Sequence, residues 1–182
     1  MLLSFEYVKN KFDFEDDEED FINDLITLSI AKVESVLDRK LEQMERIELA
    51  NGGSRFIFLS NAPILDANIY FNKTRAFNNS SLIDPLKYNL NKANGMVKFY
   101  DIPPHGEDVI QVKYTAGYTE ESLPTIIKQA LLELISSNYD KMRDRAFGIK
   151  NRTSPEGTNV QYDFEMSFET KQSLDRLRFD RV

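Results

Sequence analysis

The chain has 182 residues, 41% of them hydrophobic and 29% charged, with no Cys and no Trp. That is enough apolar material for one packed domain, or for a helical domain carrying a strand-rich insertion. It excludes disulfide frameworks, zinc–thiolate sites and cysteine nucleophiles. The net charge of −7 is concentrated in residues 1–24, where nine acids stand against two bases, while the rest of the chain carries 21 of each. Such a surface opposes tight, sequence-blind binding to DNA, which depends on neutralising phosphates. No apolar run approaches the roughly 20 residues of a membrane span. The opening MLLSFEYVKNKF lacks the basic and apolar regions of a signal peptide, so a protein made and used in solution in a cytoplasm is expected.

Ser4 is placed to cap a short helix over FEYVKNKF, with Phe5, Val8 and Phe12 on one face. Asp13 is placed to cap a longer helix from about Asp16 to Glu42, near 40 Å at 1.5 Å per residue. Its acidic first turn suits the positive end of the helix dipole. Ile22, Leu25, Ile26, Ile30, Val33, Val36, Leu37 and Leu41 recur at helical spacing.

The texture changes at NGGS, residues 51–54. RFIFLS reads as a strand. ILDANIYF puts Leu65, Ala67, Ile69 and Phe71 on one face by alternation. TRAFNNSSLIDP reads as a surface loop. LKYNL aligns Leu86, Tyr88 and Leu90, and Asn94-Gly95 before MVKFY marks a hairpin, since both residues tolerate positive φ. VIQVKYT presents Ile110, Val112 and Tyr114 to a core. Gly117 then turns the chain where a side chain would clash. Ser122 and Pro124 open a second long helix whose stripe is Ile127, Ala130, Leu131, Leu134, Ile135, Tyr139 and Met142, ending near Gly148. The two long helices flank the strands in sequence, and each needs a partner for its apolar stripe; packing them together satisfies both. Beyond Gly148, KNRTSPEGTNVQ reads as a flexible arm, YDFEMSF alternates like a strand, and KQSLDRLRFDRV reads as a short terminal helix with Leu174, Leu177 and Phe179 inward. Such a tail docks on a neighbouring copy or on its own domain, and the residues leave both open.

The expected fold is therefore α+β. It is a small bundle of two long helices and a short N-terminal helix, with an antiparallel β-rich insertion between the long helices and an extended C-terminal arm. Residues 1–149 form the domain, with helical core 4–45 and 120–148 and insertion 51–116. Residues 150–182 form the arm.

Chemistry is hard to find. His105, the only histidine, sits in PPHGED and reads as a turn residue. DFEDDEED fails the calcium-loop pattern: counting from Asp13, the sixth residue is Glu18 rather than Gly and the twelfth is Asp24 rather than Glu. No phosphate-binding glycine loop or nucleophile motif occurs. No catalytic, cofactor-binding or metal-ligating residue is assigned, and no enzyme activity or cofactor is expected. The aromatics Phe56, Phe58, Tyr70, Phe71, Tyr88 and Tyr100 read chiefly as core, with a ligand-binding sheet as the alternative. Lys141, Arg143, Arg145, Lys150 and Arg152 gather at the end of the second long helix, opposite in sign to Asp16, Asp17 and Glu18 at the start of the first. In a ring of identical subunits these two patches would meet. Candidate inter-subunit or partner contacts are Asp16, Asp17, Glu18, Arg143, Arg145, Leu174, Leu177 and Phe179.

Over residues 3–147 the order of features resembles the head–tail connector (adaptor) family of tailed bacteriophages and prophages. The short helix, the acidic DDEED start and the helix ending ESVLDRKL come first. After the β-rich stretch come VKYTAGY at 112–118 and LPTIIKQALLELISSNYDKMRD at 123–144. The resemblance implies a non-enzymatic virion subunit made in the host bacterial cytoplasm. It would form a ring, twelve-fold in the virion, beneath the portal protein, helping to close the DNA-filled head. The ring would carry a tail-completion protein and let DNA pass without sequence-specific binding. A tail-completion or baseplate subunit is the neighbouring alternative.

Overall fold

The computed structural model describes residues 2–12, 14, 16–143, 151–153, 159–161 and 166–177. They fall into two compact units, residues 2–38 with 120–177 and residues 39–119. The fold is α+β, with antiparallel sheets.

In the first unit, α1 (Phe5–Phe12) begins where the Ser4 hydroxyl accepts the Tyr7 N–H at 3.3 Å, as the capping position requires. Phe5 and Val8 are buried. A single tight helical turn, Asp16–Glu18, leads into α2 (Glu19–Leu37), and no side chain caps that start. The inward stripe of α2 is Ile22, Leu25, Ile26, Val33 and Leu37, with Ser29 buried among them. α3 (Thr125–Arg143) follows Pro124, whose carbonyl accepts the Ile127 and Lys128 N–H groups at 2.9 and 3.0 Å. Ile127, Ala130, Leu131, Leu134 and Ile135 are all buried, and α2 and α3 pack stripe to stripe. Each large side chain so buried contributes about 1.5–3 kcal/mol.

α2 is shorter than its periodicity suggested. It stops at Leu37, where Asp38 adopts φ 52° and returns its N–H to the Glu34 carbonyl. Asp tolerates this left-handed geometry, so no glycine announces the stop. Leu41 is buried, but in the second unit. At the other end, short strands β7 (Asn151–Thr153) and β8 (Asn159–Gln161) pair within the stretch expected to be a flexible arm. The terminal helix begins earlier than expected: α4 is Phe168–Asp175, capped by Ser167, and it packs on α3 and α2. YDFEMSF therefore ends as a helix start, and its residues 162–165 lie outside the described residues. So do Gly148 and Asp13.

The second unit holds two three-stranded antiparallel sheets. β1 (Met44–Ala50), β6 (Ile110–Ala116) and β3 (Ile64–Phe71) form one, with β6 central; β2 (Phe56–Phe58), β5 (Met96–Phe99) and β4 (Tyr88–Asn91) form the other, with β5 central. Strand structure starts at Met44, so the strand-rich region opens before residue 51 and residues 44–45 are not helical. The inner faces share one core built on Ile57, Ile69, Val97, Phe99, Val112 and Tyr114. Two alternation assignments need correction. The register of β3 shifts between Ile64 and Asp66, so Ile64 is buried and Leu65 is exposed. Leu86 belongs to a tight turn at Pro85–Lys87 and is 83% exposed, leaving Tyr88 and Leu90 on the core. β4 and β5 join through a hairpin in which Gly95 has φ +70° and gives its N–H to the Asn91 carbonyl at 2.9 Å.

β6 ends at Ala116, and Gly117 has φ +114°. A Cβ there would lie 2.5 Å from the Glu42 carbonyl oxygen, so only glycine fits. The corner is pinned by segment 41–43: Tyr118 donates its N–H to the Leu41 carbonyl at 2.7 Å, and Gln43 donates to the Tyr118 carbonyl at 3.1 Å.

Candidate assembly surfaces

The acidic start of α2 does not stand apart from the end of α3. The Tyr139 hydroxyl donates to Glu18 Oε1 at 2.7 Å, and the Tyr139 ring lies 4.6 Å from that of Phe14. One acid of the expected interface is therefore engaged within its own chain. Asp17 is exposed, and Asp16 lies in the tight turn. Arg143 is the last residue of α3; its side chain, and all of Arg145 and Phe179, lie outside the described residues. Lys141, counted with the basic cluster, is 2% exposed. Leu174 is a fully buried residue of α4, on the side that packs within its own unit; Leu177 is half-buried.

α4 is held at its start by one side chain of α3. Glu133 accepts the Ser167 N–H at 2.6 Å and the Thr170 hydroxyl at 2.6 Å. A carboxylate at a helix start meets both unpaired N–H groups and the positive end of the dipole. Beside it, α1 and α3 border an open groove of about 1030 Å³. Its floor includes Tyr7, with the Lys11 and Lys128 ammonium groups 5.8 and 5.5 Å from the ring centre. The groove offers apolar, cationic and anionic atoms together.

In the second unit, the buried Tyr114 hydroxyl donates to Glu48, which also accepts the Ser60 hydroxyl and, at 3.0 Å, the Ser60 N–H. Burial and the Glu48 bond push the Tyr114 phenol up to about 12. Tyr88 is also pushed up, first by burial and then by Asp66 and Asp84. Arg39 is buried; it donates to the Ala62 carbonyl at 3.2 Å and lies over the Tyr118 ring at 6.0 Å. Burial lowers its affinity for its proton, and Tyr118 offsets part of that. These groups tie β1 and the 60–63 turn to the core. His105 is exposed and lies over Gly53, where a Cβ would come within 2.2 Å of the ring. Among the described residues, no group of three or more His, Cys, Asp or Glu side chains is placed to hold a metal ion.

Three of the six aromatics read as core face outward, while Phe71 and Tyr88 pack against the core. Phe56 is 42% exposed, Phe58 51% and Tyr100 55%, while Tyr70, Phe71 and Tyr88 are half-buried. The reason was present in RFIFLS: alternation sends Ile57 and Leu59 inward, so Phe56 and Phe58 must face out. Ile47 and Leu49 of β1 are also exposed, at 62% and 50%.

No protein family model matches the sequence, and no curated protein matches it. Solved structures do match the fold. A protein in the neck of an empty gene transfer agent (GTA) particle, computed with C6 symmetry, has a TM-score of 0.61 at 15% identity, covering 100% of this chain and 91% of that one. One from the virion of the native gene transfer agent has a TM-score of 0.58 at 15% identity, covering 91% of this chain and 80% of that one. One from the neck of the native particle, computed with C12 symmetry, has a TM-score of 0.57 at 15% identity, covering 92% and 86%.

Proposed function

We propose that this chain is a structural subunit of a phage-like neck, assembling as a ring at the junction of head and tail. The observation that carries the reading is the fold shared with a GTA neck protein over the full length of this chain and nearly all of the other. In finer terms the chain is a head–tail connector. It sits beneath the portal protein, helps close the DNA-filled head and presents a platform for a tail-completion protein. The VKYTAGY corner at 112–118 supports this, since it is the most specific part of the sequence resemblance and is built as a glycine-only turn locked to segment 41–43.

A ring is a closed head-to-tail assembly, which needs two different complementary patches on each subunit. Neck structures computed with C6 and C12 symmetry are consistent with such a ring, and twelve subunits would match a twelve-fold portal. The net charge of −7 suits a conduit that DNA crosses without sticking. In this reading the protein catalyses nothing, holds no cofactor, and resides in the virion after synthesis in the bacterial host.

The test is the mass of the purified chain by light scattering, alone and mixed with its portal. A connector gains mass as a ring on the portal. A chain that ignores the portal but assembles on a tail tube or baseplate belongs elsewhere in the virion, and a chain that assembles with neither is not a neck subunit.

A further inference from the structure

The outer face of the β2–β5–β4 sheet is polar at β4, where Asn89 and Asn91 are exposed, and aromatic on its β2–β5 side. Phe56 and Phe58 point outward from β2, opposite Lys98 and Met96 of β5. Tyr100 follows one step beyond β5, its N–H on the Lys87 carbonyl at 3.0 Å. The Lys98 ammonium lies 5.9 Å from the centre of the Phe56 ring. The result is three exposed aromatic side chains on neighbouring strands with a cation beside one of them. Exposed apolar side chains grouped in this way mark an interaction site, whereas scattered exposed residues need no explanation.

α2 carries the complementary surface. Asp20, Asp24 and Leu28 recur every four residues on its outward side and are all exposed, Leu28 by 59%. They span about 12 Å along the helix. A carboxylate stands ready for Lys98 and a leucine for the phenylalanines. The wider charge agrees: residues 1–38 carry eleven acids and three bases, while residues 39–119 carry ten bases and eight acids. Complementary potentials of this kind steer encounter and fix register.

We infer that the outer face of this sheet in one copy docks on the Asp20–Leu28 side of α2 in the next copy, forming the head-to-tail contact of the ring. This rests on the ring reading above and names the surfaces that build it. Both patches lie on every subunit and differ from each other, as a closing heterologous interface requires.

The experiment uses Lys98→Glu, Asp24→Lys and the double variant, at exposed positions where the fold is expected to persist and is checked by circular dichroism. Each is assembled alone and on the portal and weighed by light scattering. Each single change should raise the concentration needed for assembly about fivefold or more, because it replaces an attraction with a repulsion at every contact. The double variant carries both patches reversed, so it should recover most of the loss. Silent single variants overturn the inference, as does a double variant no better than either parent. Lys98→Glu that weakens portal or DNA retention while leaving ring mass unchanged assigns the face to that partner and equally overturns it. If the wild-type chain does not assemble even on the portal, the ring reading itself falls first.

Discussion

The helical unit and the two-sheet unit bury their apolar residues by different means. In the helical unit, each helix brings its own stripe, set by residues three and four apart, and α2 and α3 close on each other. In the two-sheet unit, no strand can be stable alone, and the central partnership is non-local: Met44 pairs with Ala116 and Ala50 with Ile110. The helical unit is therefore set by local periodicity, while the sheet unit depends on the few points that set the β1–β6 register.

Gly117 is the most exposed of those points to mutation, and Gly117→Val is expected to have the largest effect. A side chain there meets the Glu42 and Leu41 carbonyl oxygens at 2.5 and 2.7 Å in a backbone conformation that L-residues rarely adopt. The expected loss is about 3 kcal/mol or more in a guanidinium titration. Hydrogen exchange should rise in β1 and β6 before α2 and α3. Unchanged stability would show that the corner does not tie β1 to β6.

Core truncations test whether the two units respond separately. Ile110 and Ile127 are both fully buried, one in each unit. Each change to Ala is expected to cost about 3 kcal/mol. Ile110→Ala should raise exchange mainly in β3 and β6, and Ile127→Ala mainly in α2 and α3. Identical exchange profiles would make the chain one cooperative block and erase the distinction.

How much of this was legible depended on how local the signal was. The α3 stripe, the Ile110–Val112–Tyr114 alternation and the Asn94-Gly95 hairpin could be read because neighbours in sequence decide them. β1 could not, because its pattern is inverted: Ile47 and Leu49 face outward, while Arg46 and Glu48 lie on the side of the core. Glu48 is accommodated there because Ser60 and Tyr114, the latter 66 residues away, donate to it. The end of α2 was hidden because Leu41 continues the helical period although its burial belongs to the other unit. The outward aromatics follow alternation, which outranks hydrophobicity in a strand whose partner residues Ile57 and Leu59 already fill the core. Among the contact candidates, Glu18 rests on the charge of a helix start and Leu174 on the spacing of the terminal helix, and in the structure both are engaged within the chain.

A smaller effect is expected at the junction of α3 and α4. Glu133→Ala removes the acceptor for the Ser167 N–H and the Thr170 hydroxyl while leaving Leu174 and Met166 buried. The expected cost is about 1–2 kcal/mol, confined to α4. Limited proteolysis should cut within residues 168–175 sooner than in wild type, with α1 to α3 intact. Unaltered cleavage would mean that apolar burial alone holds the helix, and the helical unit would then owe nothing to this polar clasp.

The smallest effect concerns the polar contact of the sheet unit. Tyr114 ordinarily would lose its proton near 10.0, and in the folded chain it does so near 12. The folded state thus holds the proton more tightly than the unfolded chain. That contribution to stability is complete below 10 and is lost as pH rises from about 10 to 12. Tyr114→Phe should cost about 1 kcal/mol at neutral pH, since Glu48 keeps both Ser60 donors. It should also flatten the alkaline decline, leaving the weaker contribution of Tyr88, whose phenol is raised as well. Denaturant midpoints measured across that range, with tyrosinate absorbance followed in parallel, check both statements. An equally steep decline in Tyr114→Phe would place the alkaline sensitivity outside the β1–β6 pairing, and the bond to Glu48 would not be what secures the inverted strand.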